Sequence, residues 1–156
     1  MLARPLEISG VEPAERDGSA FDALKAFYRA FNTKDLPGLV SNWLEDDRPV
    51  MNNPVGGIRQ GWKSISDGYR TLFRGRAEIH VVFHDYSVAG GGDWQLFIGR
   101  EKGHCKTEDT CLPLRFRTSR LFLREHGSWR QLHHHGSIEE PAMLADYQRI
   151  ILGASS

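Results

Sequence analysis

The spacing of apolar residues changes from helical to strand-like near Gly75, and that change restricts the folds that this chain can adopt. Before Gly75, apolar residues recur every three or four positions, as in helices with one buried face. After it they alternate with polar residues, as in half-buried strands, beginning with Ala77, Ile79 and Val81. Helices followed by strands joined by tight turns predict an antiparallel sheet with the helices packed on one face.

Several helix boundaries can be read from local signals. Ser19 begins the first helix with a hydroxyl that accepts from a free backbone N–H, and Asp35 caps the second helix in the same way. A third helix is predicted over 62–73. A closing helix is predicted over 141–152, with Gly153 as its stop.

Length and charge place the chain in a broad class. Its 156 residues suit one domain, which we assign to 17–153, after an N-terminal arm or frayed end over 1–16. Twenty basic and twenty acidic residues cancel, which argues against a nucleic acid or membrane partner because both need a sustained positive field. With no signal-like or membrane-length apolar run, the expected location is the cytoplasm.

The segment 103–110 is predicted to be a polar loop, either a flap at a pocket mouth or the solvated end of a hairpin. It contains Cys105, and Cys111 follows directly. In a reducing compartment these are expected to be free thiols. Their spacing matches no standard zinc motif, and no metal or cofactor is predicted.

Arg120 is the first candidate for a functional residue. Strand alternation places it on the same side as Phe116, Thr118 and Phe122, a largely apolar set. An unpaired charge there is costly, so the guanidinium must have a partner. That partner is either a buried acidic side chain or the carboxylate of a ligand, and the sequence leaves both open.

The run His133-His134-His135 is the second candidate. His133 and His135 share a strand face, and we expect that face to line a pocket where they act as acid and base near neutral pH. Alternatively they order the pocket wall, or bind a metal if a third ligand approaches, although no such ligand is evident. The sequence does not decide whether His80 and His84 lie nearby or on the outer face.

Three strings, 27–39, 53–61 and 118–137, resemble the nuclear transport factor 2-like superfamily, which includes SnoaL-like cyclases and ketosteroid isomerases. The resemblance covers about 21–137. It implies an α+β fold in which a cone-shaped, curved antiparallel sheet packs against three N-terminal helices, with a C-terminal helix. Such cones are open at one end, and the proteins are usually dimers through the outer face of the sheet.

The residues of ketosteroid isomerases are not retained here. The resemblance places their aspartate base at Asn53, whose amide takes up no proton near neutral pH. Their oxyanion-binding tyrosine falls on Phe27, and their protonated aspartate falls near Arg120, which cannot act as a neutral acid. Steroid-type isomerisation is therefore rejected.

The ending 118–137 is similar to the association (hub) domain of calcium/calmodulin-dependent kinases, in which the arginine points into the pocket. It is also similar to the metal-free iota-type carbonic anhydrases, which end His-His-His-Ser-Ser. This chain has Gly136 where those enzymes have their first serine.

Three functional hypotheses follow. The first is a SnoaL-like isomerase, cyclase or hydratase acting on a small carboxylated or enolisable substrate, with Arg120 as anion anchor and His133 or His135 moving the proton. The second is a non-catalytic ligand-binding and dimerisation module of the hub type, and the third is carbonic anhydrase-like activity. The expected ligand is a small anion, in a homodimer, and the predicted ligand-binding residues are Arg120, Thr118, Tyr28, Asn53, Tyr69 and Ser137.

Overall fold

A computed structural model of the chain describes residues 4–13 and 15–153. Within these residues no helix is long and apolar enough to cross a membrane. The elements, in chain order, are β1 (Glu7–Ile8), α1 (Ala20–Asn32), α2 (Leu36–Ser41), β2 (Val50–Asn52), β3 (Ile58–Gln60), α3 (Trp62–Arg74), β4 (Glu78–Gly91), β5 (Trp94–Lys106), β6 (Cys111–Glu125), β7 (Ser128–Ser137) and α4 (Pro141–Leu152).

The helix boundaries predicted from capping residues are confirmed. The Ser19 hydroxyl accepts from the Asp22 N–H at 3.2 Å and so begins α1. The Asp35 carboxylate accepts from the Gly38 N–H at 3.1 Å and begins α2. At the other end of the chain, α4 stops at Gly153, whose φ of 60° is a left-handed conformation that glycine adopts without strain.

The strands form one sheet in the order β1-β4-β5-β6-β7-β2-β3. Every neighbouring pair is antiparallel except β2 and β7, which are parallel. Bulges in the β4–β5 and β6–β7 ladders bend the strands, and the sheet curves without closing. The predicted α+β class is confirmed, with three helices before the long strands and one after them.

The described part of the N-terminal segment forms an arm that extends the sheet. Strand β1 pairs with β4, and Ile8 is completely buried in the core. The Arg29 guanidinium donates to the Gly10 carbonyl at 2.9 Å, and the Asn32 amide donates to the Ser9 carbonyl at 2.9 Å. These contacts fix the segment 8–10 against α1 and the sheet.

The prediction of a polar loop over 103–110 is wrong for its first half. Strand β5 continues to Lys106, because its ladder to β4 persists through Gly103. A side chain at Gly103 would place its Cβ 1.8 Å from the His80 carbonyl oxygen, so the glycine permits this close pairing. Cys105 is consequently buried in the core, which raises the pKa of its thiol to about 11, while Cys111 is exposed and both are free thiols.

Candidate functional site

A cavity of about 460 Å³ lies between α3, α4 and the concave face of the sheet, which we call the cone side. That size is ordinary for a small-molecule site. Its exposed mouth is formed by the β2–β3 turn at Gly56, Thr71 near the end of α3, Arg76 just after that helix, and Leu152 at the end of α4. The deeper wall is apolar, and its members include Phe27, Met51, Ile79, Val81, Phe116 and Tyr147.

A second concavity, of about 530 Å³, lies between α1, α2 and the β6–β7 turn. It is a shallow, open groove, and its lining includes exposed charged residues such as Arg29 and Asp35. The polar groups at the bottom of the first cavity, in contrast, are buried. They are Glu101, Arg120 and His134.

Arg120 lies on the cone side, as predicted, and its partner is an acidic residue of the same chain. The Arg120 Nη2 is 3.2 Å from the Glu101 Oε1, and the two side chains are only 3% and 5% exposed. Its Nη1 donates to the Gln131 side-chain oxygen at 3.0 Å, and its carbon centre lies 3.7 Å from the middle of the Phe27 ring. The guanidinium is therefore paired and stacked without any ligand.

Tyr28 completes the group around this ion pair. Its hydroxyl donates to the Glu101 Oε1 at 2.9 Å and accepts from the Arg120 Nε at 3.2 Å. Burial, together with the Glu101 charge, raises the pKa of Tyr28 well above its ordinary value, so the hydroxyl keeps the proton that it donates. The Gln131 amide in turn donates to the Asn42 side-chain oxygen at 2.8 Å. The cavity floor thus carries no net charge.

His134 differs from this network because its ring is unsatisfied. It is 5% exposed and lines the cavity, yet neither ring nitrogen has a hydrogen-bond partner within the described part of the chain. Burial, with a further contribution from the charge of Arg120, lowers the pKa of His134 well below its ordinary value. The ring is neutral at neutral pH and offers one donor and one acceptor. A buried polar group without a partner is costly, so a hydrogen bond to either ring nitrogen would stabilise this ring.

The placement predicted for His133 and His135 is wrong: both side chains lie on the outer face of the sheet. Gln131 is fully buried on the cone side, and simple alternation would carry that orientation to His133 and His135. Leu132, however, is an extra residue in the ladder, and this bulge turns His134 inward instead.

On the outer face the two rings have ordinary local contacts. The His133 Nδ1 is 2.7 Å from the Val50 carbonyl oxygen, and the His135 Nδ1 is 3.1 Å from the Asn52 amide nitrogen. His135 is exposed. Neither ring belongs to the lining of the cavity.

The other predicted ligand-binding residues divide into three groups. Asn53 and Tyr69 line the cavity with Arg120, and burial raises the pKa of Tyr69 to about 12, so its hydroxyl remains protonated. Tyr28 lies outside the lining, and its hydroxyl donates to Glu101. Thr118 is buried but outside the lining, and Ser137 accepts from Arg117 at 3.1 Å, away from the cavity.

His80 and His84 occupy the outer face, which answers a question that the sequence left open. Their neighbours Ile79, Val81 and Phe83 are buried on the cone side, so alternation sends both imidazoles outward. The His80 ring stacks on the His104 ring across the β4–β5 ladder, with 5.7 Å between ring centres.

Glu101 is a buried, charged member of the cavity lining that the sequence analysis missed. A signal for it existed, since Glu101 falls midway between Phe97 and Cys105, two inward positions of an alternating strand. The structure also explains why glycine occupies position 136. A Cβ at that position would lie 2.4 Å from the Cγ of Pro54, so the serine that the iota-type carbonic anhydrases have there would clash with the Asn53–Pro54 turn.

Comparisons with known proteins agree with this architecture. Residues 21–141 match the family model described as a SnoaL-like domain. Among curated proteins, none shows significant similarity to the chain.

Three solved structures are similar to the chain in fold. The first, provisionally assigned as a calcium/calmodulin-dependent protein kinase type II association domain from Thiobacillus denitrificans, is 23% identical, has a TM-score of 0.65, and covers 83% of this chain and 100% of its own. A provisionally assigned dehydratase of the NTF2-like family from Streptomyces avermitilis is 20% identical, with a TM-score of 0.65 and coverage of 76% and 91%. A ketosteroid isomerase-like protein from Erwinia carotovora atroseptica is 18% identical, with a TM-score of 0.64 and coverage of 81% and 99%. The chain belongs to the SnoaL-like domain family and has the nuclear transport factor 2-like fold.

Proposed function

We propose that this protein is an enzyme of the isomerase or hydratase type that moves a proton on a small enolisable molecule bound inside the cone. The observation that carries the proposal is His134, a buried, neutral imidazole that faces a cavity with both ring nitrogens unpartnered within the described residues. Similar structures include a provisionally assigned dehydratase and a ketosteroid isomerase-like protein. Their low identity supports only the fold, so the chemistry is argued from the residues of this chain.

The role proposed for His134 is hydrogen bonding to the reacting oxygen. When a proton leaves the carbon beside a carbonyl group, negative charge develops on the carbonyl oxygen. A neutral imidazole fixed in a buried site can donate its N–H to that oxygen without reorganisation of solvent. Burial, with a smaller contribution from the Arg120 charge, lowers the pKa of His134 and so holds the ring in the neutral form.

The role proposed for Glu101 is proton transfer. Glu101 is the one carboxylate in the cavity lining described here. Its Oε1 accepts from Tyr28 and Arg120, and a carboxylate has about four acceptor sites, so acceptor capacity remains. Glu101 takes the proton from the carbon beside the carbonyl and returns it to another carbon of the same molecule. The isomerisation thereby balances without any co-reactant.

The roles proposed for Glu101 and His134 restrict which group of the substrate can contact the cavity floor. An anchored carboxylate was expected at Arg120, but Glu101 already neutralises that guanidinium at 3.2 Å. A second carboxylate at the floor would meet the negative Glu101, and like charges in a buried site repel strongly. The substrate group that contacts the floor is therefore uncharged.

The test is exchange of the protons beside a carbonyl group in D₂O, followed by ¹H NMR over a panel of small linear and cyclic ketones. Wild-type protein is expected to accelerate exchange for at least one ketone. Glu101→Gln is expected to lower that rate by about 10²–10⁴-fold, and His134→Phe by about 10²–10³-fold. His135→Phe, on the outer face, is the matched control and should exchange at the wild-type rate.

Thermal unfolding of each variant establishes that it is folded before exchange is measured. Equal exchange by wild type and both cone-side variants would contradict the assigned roles. Absence of exchange for every ketone in the panel would contradict the enzymatic proposal as a whole.

The second candidate is a non-catalytic binding module of the association-domain type. The observation in its favour is that Arg120 is satisfied by Glu101, Tyr28 and Gln131, as in a purely structural ion-pair network. The structure from Thiobacillus denitrificans also matches over its whole length. A ligand that raises the melting temperature by mass action, with no exchange or turnover, would favour this candidate.

A further inference from the structure

Two arginines belong to the cavity lining away from its buried floor. Arg59 lies in β3 and is half-buried. Arg76 follows α3 and is exposed. Within the part of the chain that the structure describes, neither has a carboxylate within 4.0 Å, whereas ten other basic side chains do. A cation at a pocket mouth that is not neutralised locally attracts an anionic group of a ligand.

Arg59 is held in position by α3. Its Nη1 donates to the Ser64 carbonyl at 3.1 Å. Its side chain also runs against Gly68, where a Cβ would lie only 2.6 Å from the Arg59 Nε. The helix therefore leaves room for this arginine and fixes it with a single protein hydrogen bond. Its remaining N–H groups are available to a carboxylate.

The charges of the lining are separated along the depth of the cavity. The Glu101–Arg120 pair cancels at the floor, and the middle of the wall is apolar. What remains is positive charge at the mouth, although the whole chain has a formal net charge of zero. The cavity thus offers a cationic mouth, an apolar body and a neutral hydrogen-bonding group, His134, near the floor.

We propose that the ligand is an amphipathic monocarboxylic acid that binds with its carboxylate between Arg59 and Arg76, its apolar body in the cone and an uncharged oxygen at His134. This inference rests on the proposed function, since it names the substrate class of the same cavity. It also reconciles an anionic ligand with the neutral floor, because the negative charge stays at the mouth.

The test compares octanoate with octanamide, two probes of equal chain length that differ in charge. Binding is followed by ¹H–¹⁵N NMR titration at low salt. Wild-type protein is expected to bind octanoate about tenfold more tightly than octanamide. That factor corresponds to one charge-assisted hydrogen bond between the carboxylate and an arginine. The preference should shrink as salt screens the mouth.

The double variant Arg59→Gln, Arg76→Gln is expected to lose the preference and to bind both probes as wild type binds octanamide. Arg74→Gln is the matched control, since Arg74 is exposed at the end of α3 but absent from the lining. It should keep the tenfold preference. A preference that survives in the double variant, or disappears in the control, would overturn the assignment of the mouth.

The outcomes separate this inference from the proposed function. Equal binding of the two probes by wild type, with ketone exchange intact, would overturn the carboxylate inference and leave the enzyme proposal standing. Octanoate binding that depends on Arg59 and Arg76, without exchange by any ketone, would support the ligand class and contradict the chemistry. Failure of both probes to shift any cavity residue would overturn the inference.

Discussion

The two faces of strand β5 carry the same kind of ion pair in opposite environments. On the cone side, Arg120 and Glu101 lie 3.2 Å apart with side chains 3% and 5% exposed. On the outer face, Arg100 and Glu139 are also 3.2 Å apart, but their side chains are 53% and 51% exposed. Equal distance does not mean equal energy, because water screens the outer pair and a buried charge that loses its partner is costly.

The histidines of β7 give the same comparison. His134 is buried and unsatisfied on the cone side, while the neighbouring His135 is exposed and contacts Asn52. One bulge residue, Leu132, decides which ring meets the cavity. Burial and access to the cavity, rather than residue type, therefore distinguish the candidate functional groups from the surface ones.

The largest effect is expected at the buried ion pair. Arg120→Ala leaves Glu101 buried without its cation, and the free energy of unfolding should fall by about 3–5 kcal/mol. Arg100→Ala, which removes an exposed pair of equal length, should cost at most about 1 kcal/mol. Urea unfolding of the two variants measures both values. Similar losses would show that the two faces are energetically alike, against the comparison.

If Arg120→Ala does not fold, the double variant Arg120→Met, Glu101→Met sharpens the same point. Apolar residues of similar volume often replace a buried ion pair at little cost, so the double variant should lose less stability than Arg120→Ala. A loss of about 1–3 kcal/mol should remain, because the Tyr28 hydroxyl and the Gln131 side chain lose their partners. A loss as large as that of the single variant would mean that packing, rather than the stranded charge, dominates at this position.

A smaller effect is expected at Gly136, where β7 meets the turn after β2. Gly136→Ala places a methyl group 2.4 Å from the Cγ of Pro54, so one of the two segments must move. Overpacking of this kind typically costs about 1–3 kcal/mol. Gly91→Ala is the control, because a Cβ at that position would have no neighbouring atom within 4 Å. Gly127→Ala is less suitable, because alanine is strained at its φ of 79°. Equal stability of both variants would contradict the close contact.

The pH dependence of stability should report the neutral ring of His134. Because burial lowers the pKa of His134 in the folded state, the unfolded chain binds a proton below about pH 6.5 that the folded chain does not. This contribution favours folding above about pH 6.5 and is lost as the pH falls, by up to about 1.4 kcal/mol per pH unit. His134→Phe should therefore lose less stability than wild type in urea unfolding between about pH 7 and about pH 5. An equal loss in both proteins would mean that the ring is protonated in the fold.

The smallest effect is expected on the outer face. His135→Ala removes an exposed ring, and the free energy of unfolding should change by no more than about 0.5 kcal/mol. Affinity for the cavity probes should also stay within about twofold of wild type, about 0.4 kcal/mol. A tenfold loss of affinity would show that His135 contributes to ligand binding in the cavity and would contradict the orientation of β7.

Much of the fold follows from local rules that the sequence displays. Ser19, Asp35 and Gly153 mark helix ends by hydrogen bonding and backbone conformation, and alternation after Gly75 identifies the sheet and the inward direction of Arg120. These signals depend on neighbours in the chain. For that reason these features could be predicted from the sequence without the tertiary structure.

The site depended on contacts that are distant in sequence. Arg120 and its partner Glu101 meet only because β5 pairs with β6 in one particular register. The bulge at Leu132 is a property of the β6–β7 ladder, and no local residue preference predicts it. A one-residue shift exchanges the faces of a strand, so His133 and His135 were placed inward although His134 occupies that position.

The most direct test is ¹⁵N NMR of the histidine side chains, with ring nitrogens labelled, at neutral pH. On saturation with 7-oxooctanoate, whose ketone oxygen can reach the floor while its carboxylate stays at the mouth, the His134 ring nitrogens are expected to shift as one or both gain a hydrogen bond, while those of His133 and His135 stay unchanged. Shifts confined to His133 or His135, with His134 unaffected, would show that ligands meet the other face of the sheet and would contradict the proposed site.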